Sequence, residues 1–114
     1  MKVPNANAAE IDDSKVRNYL LSPTHPVGRY KARFFGSIGY TQEDTERLAA
    51  GLRAVLANEV SDTIESEFGT KFVVRGQLEP LAGSATAIVT VWIIRAGEDI
   101  PRLVTAYPGD GDED

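Results

Sequence analysis

The apolar residues of this chain change their spacing near residue 69. Before that point they recur at i, i+3 and i+4, which is the spacing of one face of an α-helix. After it they alternate with other residues, as in a β-strand that buries one face. This order predicts an α+β fold in which N-terminal helices pack on one face of a small antiparallel β-sheet of three to four strands.

Two short helices are predicted first. One starts near Asp12 or Asp13, either of which can cap it, and stops at the Ser22-Pro23 pair, because the residue before a proline disfavours helical backbone. The second runs over residues 29–38, and Gly39 is placed to end it as a C-cap.

The third helix is predicted to be the longest. Thr41 opens the sequence TQED, a capping box in which Asp44 replaces the usual glutamate. The helical spacing then continues to Phe68, so we expect a helix of about 25 residues that ends at Gly69, with a break near Asn58 as an alternative.

Three strands are predicted between residues 71 and 107, with a turn at residues 82–84 between the first two. The side chains expected to face the helices are Phe72, Val74 and Leu78, then Ala87, Val89, Val91 and Ile93, and finally Val104 and Ala106. Leu103 is expected on the opposite face, which also displays a polar and aromatic set, namely Arg75, Gln77, Thr90, Trp92, Thr105 and Tyr107. We interpret that face as a binding surface, with an ordinary half-exposed sheet face as the alternative.

Composition fits one small domain. The chain has 114 residues, of which 42% are hydrophobic and 25% charged. We expect a single domain over residues 1–108 and a disordered acidic tail over residues 109–114. The formal charge is −5, but the tail GDGDED holds four of the acids. The remaining charge is close to neutral, which argues against a protein that coats nucleic acid generally and leaves room for a local basic cleft.

The sequence also limits the chemistry. It has no cysteine and one histidine, which excludes disulfides, thiolate nucleophiles and zinc sites built on sulfur or several histidines. We therefore expect no metal and no cofactor. The longest apolar run, AIVTVWII, is too short to cross a bilayer, so no membrane association and a cytoplasmic location are expected.

Several cationic and titratable side chains are candidates for a site. His25 lies in SPTHPVGRYK, ahead of three cations, and suits a general acid or base, although local packing is the alternative. Arg29, Lys31 and Arg33 alternate with aromatic residues and could hold phosphates while a base stacks, or remain solvated in part. Arg95 and Arg102 flank the AGED turn. Pairing with its acids is the structural interpretation, and binding a phosphate is the functional one.

Two long segments, YLLSPTHPVGRYKARFF and VWIIRAGEDIPRLVTAYP, carry a family signature. They closely resemble an uncharacterised bacterial family of small proteins and toxin C-terminal modules with the pattern HPxGxxKAxxF followed by WIIRxGEDxPRLVTxY. The helix-then-sheet order of that family resembles the barnase, EndoU, colicin and RelE group of metal-independent ribonucleases. The resemblance covers the chain from its first residues to Tyr107.

This resemblance implies a toxin of a toxin–antitoxin or polymorphic toxin system that cleaves RNA and is neutralised by a cognate antitoxin or immunity protein. It implies that His25 is the base or the acid, and that Lys31 with Arg95 or Arg102 stabilises the phosphorane formed during cleavage. It also implies that Thr105 and Tyr107 form hydrogen bonds with the phosphate or the ribose. Substrate binding would fall to Arg29, Arg33 and Trp92. The main alternative is a non-catalytic module, an antitoxin or regulatory partner, that binds protein through the exposed sheet face. An enzyme acting on a small phosphorylated or nucleotide substrate is the third hypothesis, but no glycine-rich phosphate loop supports it.

Overall fold

The structure of the protein is a computed structural model that describes residues 1–80 and 85–109. Its helices are α1 (Asp13–Lys15), α2 (Gly28–Ser37) and α3 (Thr45–Val55). Its strands are β1 (Val60–Ser66), β2 (Gly69–Leu78), β3 (Thr86–Arg95) and β4 (Arg102–Pro108). The strands form one antiparallel sheet in the order β1-β2-β3-β4. The α+β fold with helices on one face of a small antiparallel sheet is confirmed.

The predicted helix starts are confirmed by their caps. The Asp12 carboxylate accepts a hydrogen bond of 2.9 Å from the Ser14 backbone N–H, and α1 continues into a π-helical segment, Val16–Leu20. Thr41 and Asp44 form the predicted capping box, which caps a short 3₁₀ turn that leads into α3.

The long third helix is wrong beyond residue 55. The chain leaves α3 at Val55 and forms strand β1, which pairs with β2 through a turn at residues 67–68. Val60 and Ile64 lie four apart and fit a helical stripe, but Ile64 is 49% exposed. Strand β1 lies at the sheet edge and is mostly exposed, so it lacks the alternating burial by which a strand is recognised in sequence.

Strand β3 turns toward the helices the face that was predicted to point away from them. Trp92 and Thr90 are fully buried in the helix-facing layer, while Val89 points to the opposite face. The Trp92 indole N–H donates to the Thr90 hydroxyl at 2.8 Å, and that hydroxyl donates to the Val74 carbonyl at 2.9 Å. Because these bonds satisfy the buried polar atoms, a threonine and a tryptophan can occupy the core.

A β-bulge changes the alternation in the last strand. The register with β3 shifts between Val91 and Trp92. Leu103 and Ala106, three residues apart, are consequently both buried in the core. The prediction for Ala106 is confirmed and that for Leu103 is wrong, because a bulge cannot be read from strand periodicity.

The N-terminal segment pairs with the start of β4. The Glu10 N–H donates to the Pro101 carbonyl at 2.9 Å, and the Leu103 N–H donates to the Glu10 carbonyl at 3.0 Å. The predicted turn at residues 82–84 and residues 110–114 of the predicted tail lie outside the described residues. Within the described part of the chain, no helix has the length and apolar character to cross a membrane.

Candidate functional site: a tyrosine held between lysines beside a basic cleft

Tyr19 lies in the π-helical segment, close against the first turn of α2. A methyl group added at Gly28 would lie 2.0 Å from the Tyr19 carbonyl oxygen, so only glycine permits this approach. π-Helical segments recur at functional sites because they shift one side chain out of the regular helical spacing. The half-buried Tyr19 side chain is thereby fixed beside α2.

Two lysines surround the Tyr19 ring. The Lys31 ammonium donates a hydrogen bond of 3.0 Å to the Tyr19 hydroxyl, and the Lys15 Nζ lies 5.3 Å from the ring centroid. Burial raises the pKa of Tyr19, but the Lys31 hydrogen bond, the Thr105 side chain and the charges of Lys31 and Lys15 together lower it by more. The net result is a phenol whose pKa lies below its ordinary value, so its anion is easier to form.

His25 packs edge-on against Tyr19, with the ring centroids 5.0 Å apart. Its Nδ1 accepts backbone hydrogen bonds from Val27 at 3.0 Å and Gly28 at 2.9 Å. A nitrogen that accepts two N–H groups carries no proton, so in the neutral ring the proton is on Nε2. His25 is therefore arranged as a hydrogen-bond donor through Nε2, and this tautomer does not offer a basic nitrogen to a substrate.

Thr105 reaches the same group from β4. Its hydroxyl oxygen is buried and, within the described residues, makes no hydrogen bond of ordinary length. It is nevertheless near enough to Tyr19 to contribute to the lowered pKa of that phenol. A buried hydroxyl without a partner is uncommon, and here it lies beside the tyrosine of lowered pKa.

A basic cleft of about 720 Å³ adjoins this group. Among the described residues, five cationic side chains and two carboxylates line it, the cations being Lys15, Arg53, Lys71, Arg95 and Arg102. Arg102 is held by Glu10 at 2.8 Å and Glu98 at 3.2 Å, whereas Arg95 makes no ion pair with any described residue. Lys15 lines the cleft and also lies over Tyr19, so the two features are continuous.

A second cavity, of about 490 Å³, lies along α2 and is called here the α2 cavity. Arg29 and Arg33 line it, and their guanidinium groups lie 4.7 and 5.9 Å from the centroid of the Tyr30 ring. Among the described residues, neither arginine is paired with an acid. Apolar groups from Leu21, Pro23, Ala32 and Tyr40 form much of the remaining wall.

Residues 2–110 match a family described as a domain of unknown function, DUF6883. The chain belongs to the DUF6883 family. Among curated proteins, no sequence matches this DUF6883 chain at a significant level. A solved structure of a contact-dependent growth inhibition toxin–immunity protein complex from Klebsiella pneumoniae 342 contains a chain of similar fold. That chain is 14% identical, with a TM-score of 0.72 over 94% of the DUF6883 chain and 98% of the other. At this identity the likeness concerns the fold.

The structure separates the predicted site residues into groups. In the DUF6883 chain, His25, Lys31 and Thr105 meet at Tyr19, while Arg95 and Arg102 line the adjoining basic cleft. The predicted ion pair across the AGED turn is confirmed for Arg102 and Glu98, and Arg102 makes a further pair with Glu10.

The other predicted residues lie elsewhere. Arg29 and Arg33 line the α2 cavity. Trp92 is wrong as a substrate-binding residue, because its side chain is fully buried in the core. Tyr107 follows the buried Ala106, pairs with Val89 across the sheet and is 38% exposed, so it faces away from the helices.

Tyr19 and Lys15 were not predicted. Both fit the amphipathic pattern of a short helix, in which Tyr19 counts as core and Lys15 as solvated surface. Within the described residues, no group of three His, Cys, Asp or Glu side chains is arranged to hold a metal ion. The signal that could have identified Tyr19 is its place in YLL, the first residues of the family signature.

Proposed function

We propose that this chain is a bacterial toxin module that cleaves RNA without a metal ion, with Tyr19 and Lys31 as its central pair. The observation that carries the proposal is the 3.0 Å hydrogen bond from Lys31 to a tyrosine of lowered pKa, placed beside a cleft with five cations. Metal-independent RNA cleavage needs a base at the 2′-hydroxyl, cations at the phosphate and an acid at the leaving 5′-oxygen.

In the proposed reaction Tyr19 acts as the base. Its phenolate removes the proton of the 2′-hydroxyl, and the 2′-oxygen attacks phosphorus to form the new P–O bond. The lowered pKa favours this role because it increases the fraction of phenolate near neutral pH. The RNA fragment that keeps the attacking ribose then ends in a 2′,3′-cyclic phosphate.

Lys31 completes the proton balance. As the P–O5′ bond breaks, the Lys31 ammonium transfers a proton to the departing 5′-oxygen. The protonated Tyr19 then returns its proton to the Lys31 amine along their existing hydrogen bond. The ammonium–phenolate pair is regenerated without any further group.

His25 and Thr105 fit supporting roles. The Nε2–H of His25 is free of the two backbone bonds at Nδ1 and would donate to a non-bridging phosphate oxygen. Thr105 would donate to the phosphate or to the phenolate, which would satisfy its buried hydroxyl. Arg95 would contact the RNA backbone in the basic cleft, because no described acid occupies its guanidinium.

A second candidate function is an immunity protein or antitoxin. It is favoured by the fold likeness to a toxin–immunity complex, since that assembly contains both kinds of protein. Such a protein would use the exposed sheet face, where Val91 and Ile93 are only half-buried and Tyr107 is exposed. Under either hypothesis the chain has a cognate protein partner.

Inducible expression in bacteria separates the two candidates. We expect growth arrest and discrete fragments of total RNA from the wild type and from Tyr30→Phe. That variant is the matched control, because it removes an exposed tyrosine hydroxyl away from Tyr19. Tyr19→Phe and Lys31→Met are expected to be harmless although they accumulate as folded protein. Harmless wild-type expression with intact RNA would reject the toxin and favour the immunity protein.

A further inference from the structure

Gly36 lies in the last turns of α2 at a position where the backbone does not need glycine. A methyl group built on Gly36 has no atom within 4 Å, and its φ is not in the left-handed region. Glycine within a helix is less favourable than alanine. Neither packing nor backbone geometry explains the residue, but Gly36 lines the α2 cavity, where the missing side chain leaves space.

The side chains around this space suit a ligand that has both an anionic group and a planar apolar ring. Arg29 and Arg33 are cations without an acidic partner among the described residues. Both guanidinium groups lie against the ring of the exposed Tyr30, an arrangement that a phenylalanine ring at that position preserves. Guanidinium groups bind phosphate well because their donors match its oxygens. The apolar wall contributed by Leu21 and Ala32 suits a planar ring.

We infer that the α2 cavity binds a nucleotide, with its phosphate on Arg29 and Arg33 and its base over Gly36. The cavity of about 490 Å³ is within the usual range of small-ligand sites. The nucleotide has two sources, a free mononucleotide or one residue of an RNA chain. The second rests on the proposed function.

The α2 cavity is separate from the Tyr19 group. Residues 29, 32, 33 and 36 follow the i, i+3, i+4, i+7 spacing and share one face of α2. Lys31 lies two positions from Arg29 and from Arg33, so it points to the other side of the helix, toward Tyr19. The loop before α2 joins both features, since Pro23 lines the cavity and His25 contacts Tyr19. An RNA strand that crosses the start of α2 could therefore reach both.

Calorimetric titration tests the nucleotide site directly. The probes are the four 5′-mononucleotides and inorganic phosphate, each added to the full chain. We expect at least one mononucleotide to bind ten-fold or more tightly than phosphate, and Arg33→Ala to reduce that affinity at least ten-fold. Gly36→Leu should do the same without loss of thermal stability, because leucine favours a helix and fills the cavity. Gly36→Ala is the control for helix stability.

Two results would overturn the inference: mononucleotides that bind no more tightly than phosphate, or mononucleotide affinity that Gly36→Leu leaves unchanged. The source is decided with a single-stranded oligoribonucleotide and Tyr19→Phe protein. The affinity of the oligonucleotide is compared between Tyr19→Phe protein and the same protein that also carries Gly36→Leu. If the second change lowers this affinity ten-fold, the cavity binds a residue of RNA. If the affinity is unchanged, the cavity binds a free nucleotide. If the chain cleaves no RNA at all, the mononucleotide titration still decides the inference.

Discussion

Lys31 donates a hydrogen bond of 3.0 Å to the hydroxyl of Tyr19, and these two residues come from different helical segments. The contact depends on Gly28, which lets the start of α2 approach the backbone of Tyr19. It joins the two halves of the first signature segment, YLL and the HPVGRYK loop, into one group. The proposed chemistry follows from this contact.

Tyr19→Phe should abolish most RNA cleavage while preserving the fold. The change removes one oxygen and keeps the ring that packs against His25. Loss of a general base lowers a rate by on the order of 100-fold to 10,000-fold. The measurement is the cleavage rate of a labelled RNA, with Tyr30→Phe as the control. A Tyr19→Phe protein with more than about a third of the wild-type rate would contradict the role of Tyr19.

The lowered pKa of Tyr19 predicts a pH dependence of stability. Between the pKa of Tyr19 in the folded chain and its ordinary value of about 10, the unfolded phenol holds a proton that the folded one has released. The free energy of unfolding should therefore rise with pH across this window, and the gain should be lost as pH falls through the folded pKa. Tyr19→Phe should remove this rise in denaturation experiments.

The ultraviolet absorbance of tyrosinate gives an independent check of the same shift. Tyr19 should ionise at lower pH than Tyr40, since burial raises the pKa of Tyr40. The first component of the titration should be missing from Tyr19→Phe and present in Tyr40→Phe. Identical early components in the wild type and Tyr19→Phe would count against the assignment.

Gly28→Ala should destabilise the protein. The added methyl group meets the Tyr19 carbonyl oxygen at 2.0 Å, and backbone must move to relieve the overlap. Overpacking of this kind costs about 1–3 kcal/mol. Gly36→Ala in the same helix is the matched control and should be neutral or stabilising, because its methyl group meets nothing. Urea denaturation of both variants measures the difference, and equal stabilities would refute the close approach.

Thr90→Val should destabilise the core, although valine has nearly the same shape. It removes the hydroxyl that accepts from the Trp92 indole and donates to the Val74 carbonyl. A buried donor without a partner costs about 1–3 kcal/mol. Thr63→Val on the exposed strand β1 is the control and should change stability by less than about 0.5 kcal/mol. The fluorescence of Trp92, the one tryptophan of the chain, reports unfolding in both.

Arg95 and Arg102 should differ when each is changed to alanine. Arg95→Ala should leave stability unchanged and weaken RNA binding with a shallower salt dependence, because its guanidinium has no described acid partner. Arg102→Ala should also lower stability, by up to about 1 kcal/mol, since it breaks two exposed ion pairs. Binding isotherms at several salt concentrations, together with denaturation, distinguish the two arginines.

Local signals in the sequence predicted much of the fold. The Thr41 capping box is a local backbone preference and marks a real helix start, and Gly69 begins strand β2, although the change from helix to strand predicted there takes place before Val60. The errors arose where burial depends on distant contacts. Strand β1 is exposed and shows no alternation, and the face of β3 is ambiguous because both of its faces are largely apolar.

The sequence predicted several residues of the candidate site, but not Tyr19, which those residues surround. The signature segments contained His25, Lys31 and Thr105, but only the folded chain places all three at Tyr19. The π-helical segment that contains Tyr19 packs against Gly28, which lies nine residues further along. Sequence spacing gives no sign of this contact, because the loop between the two residues can take many paths.

The most direct test of the central claim uses purified protein, a labelled RNA and excess chelator. The proposed mechanism predicts that the wild type and Tyr30→Phe produce fragments ending in 2′,3′-cyclic phosphate, and that folded Tyr19→Phe and Lys31→Met do not. Intact RNA with folded wild-type protein, or the same fragments from Tyr19→Phe, would contradict it.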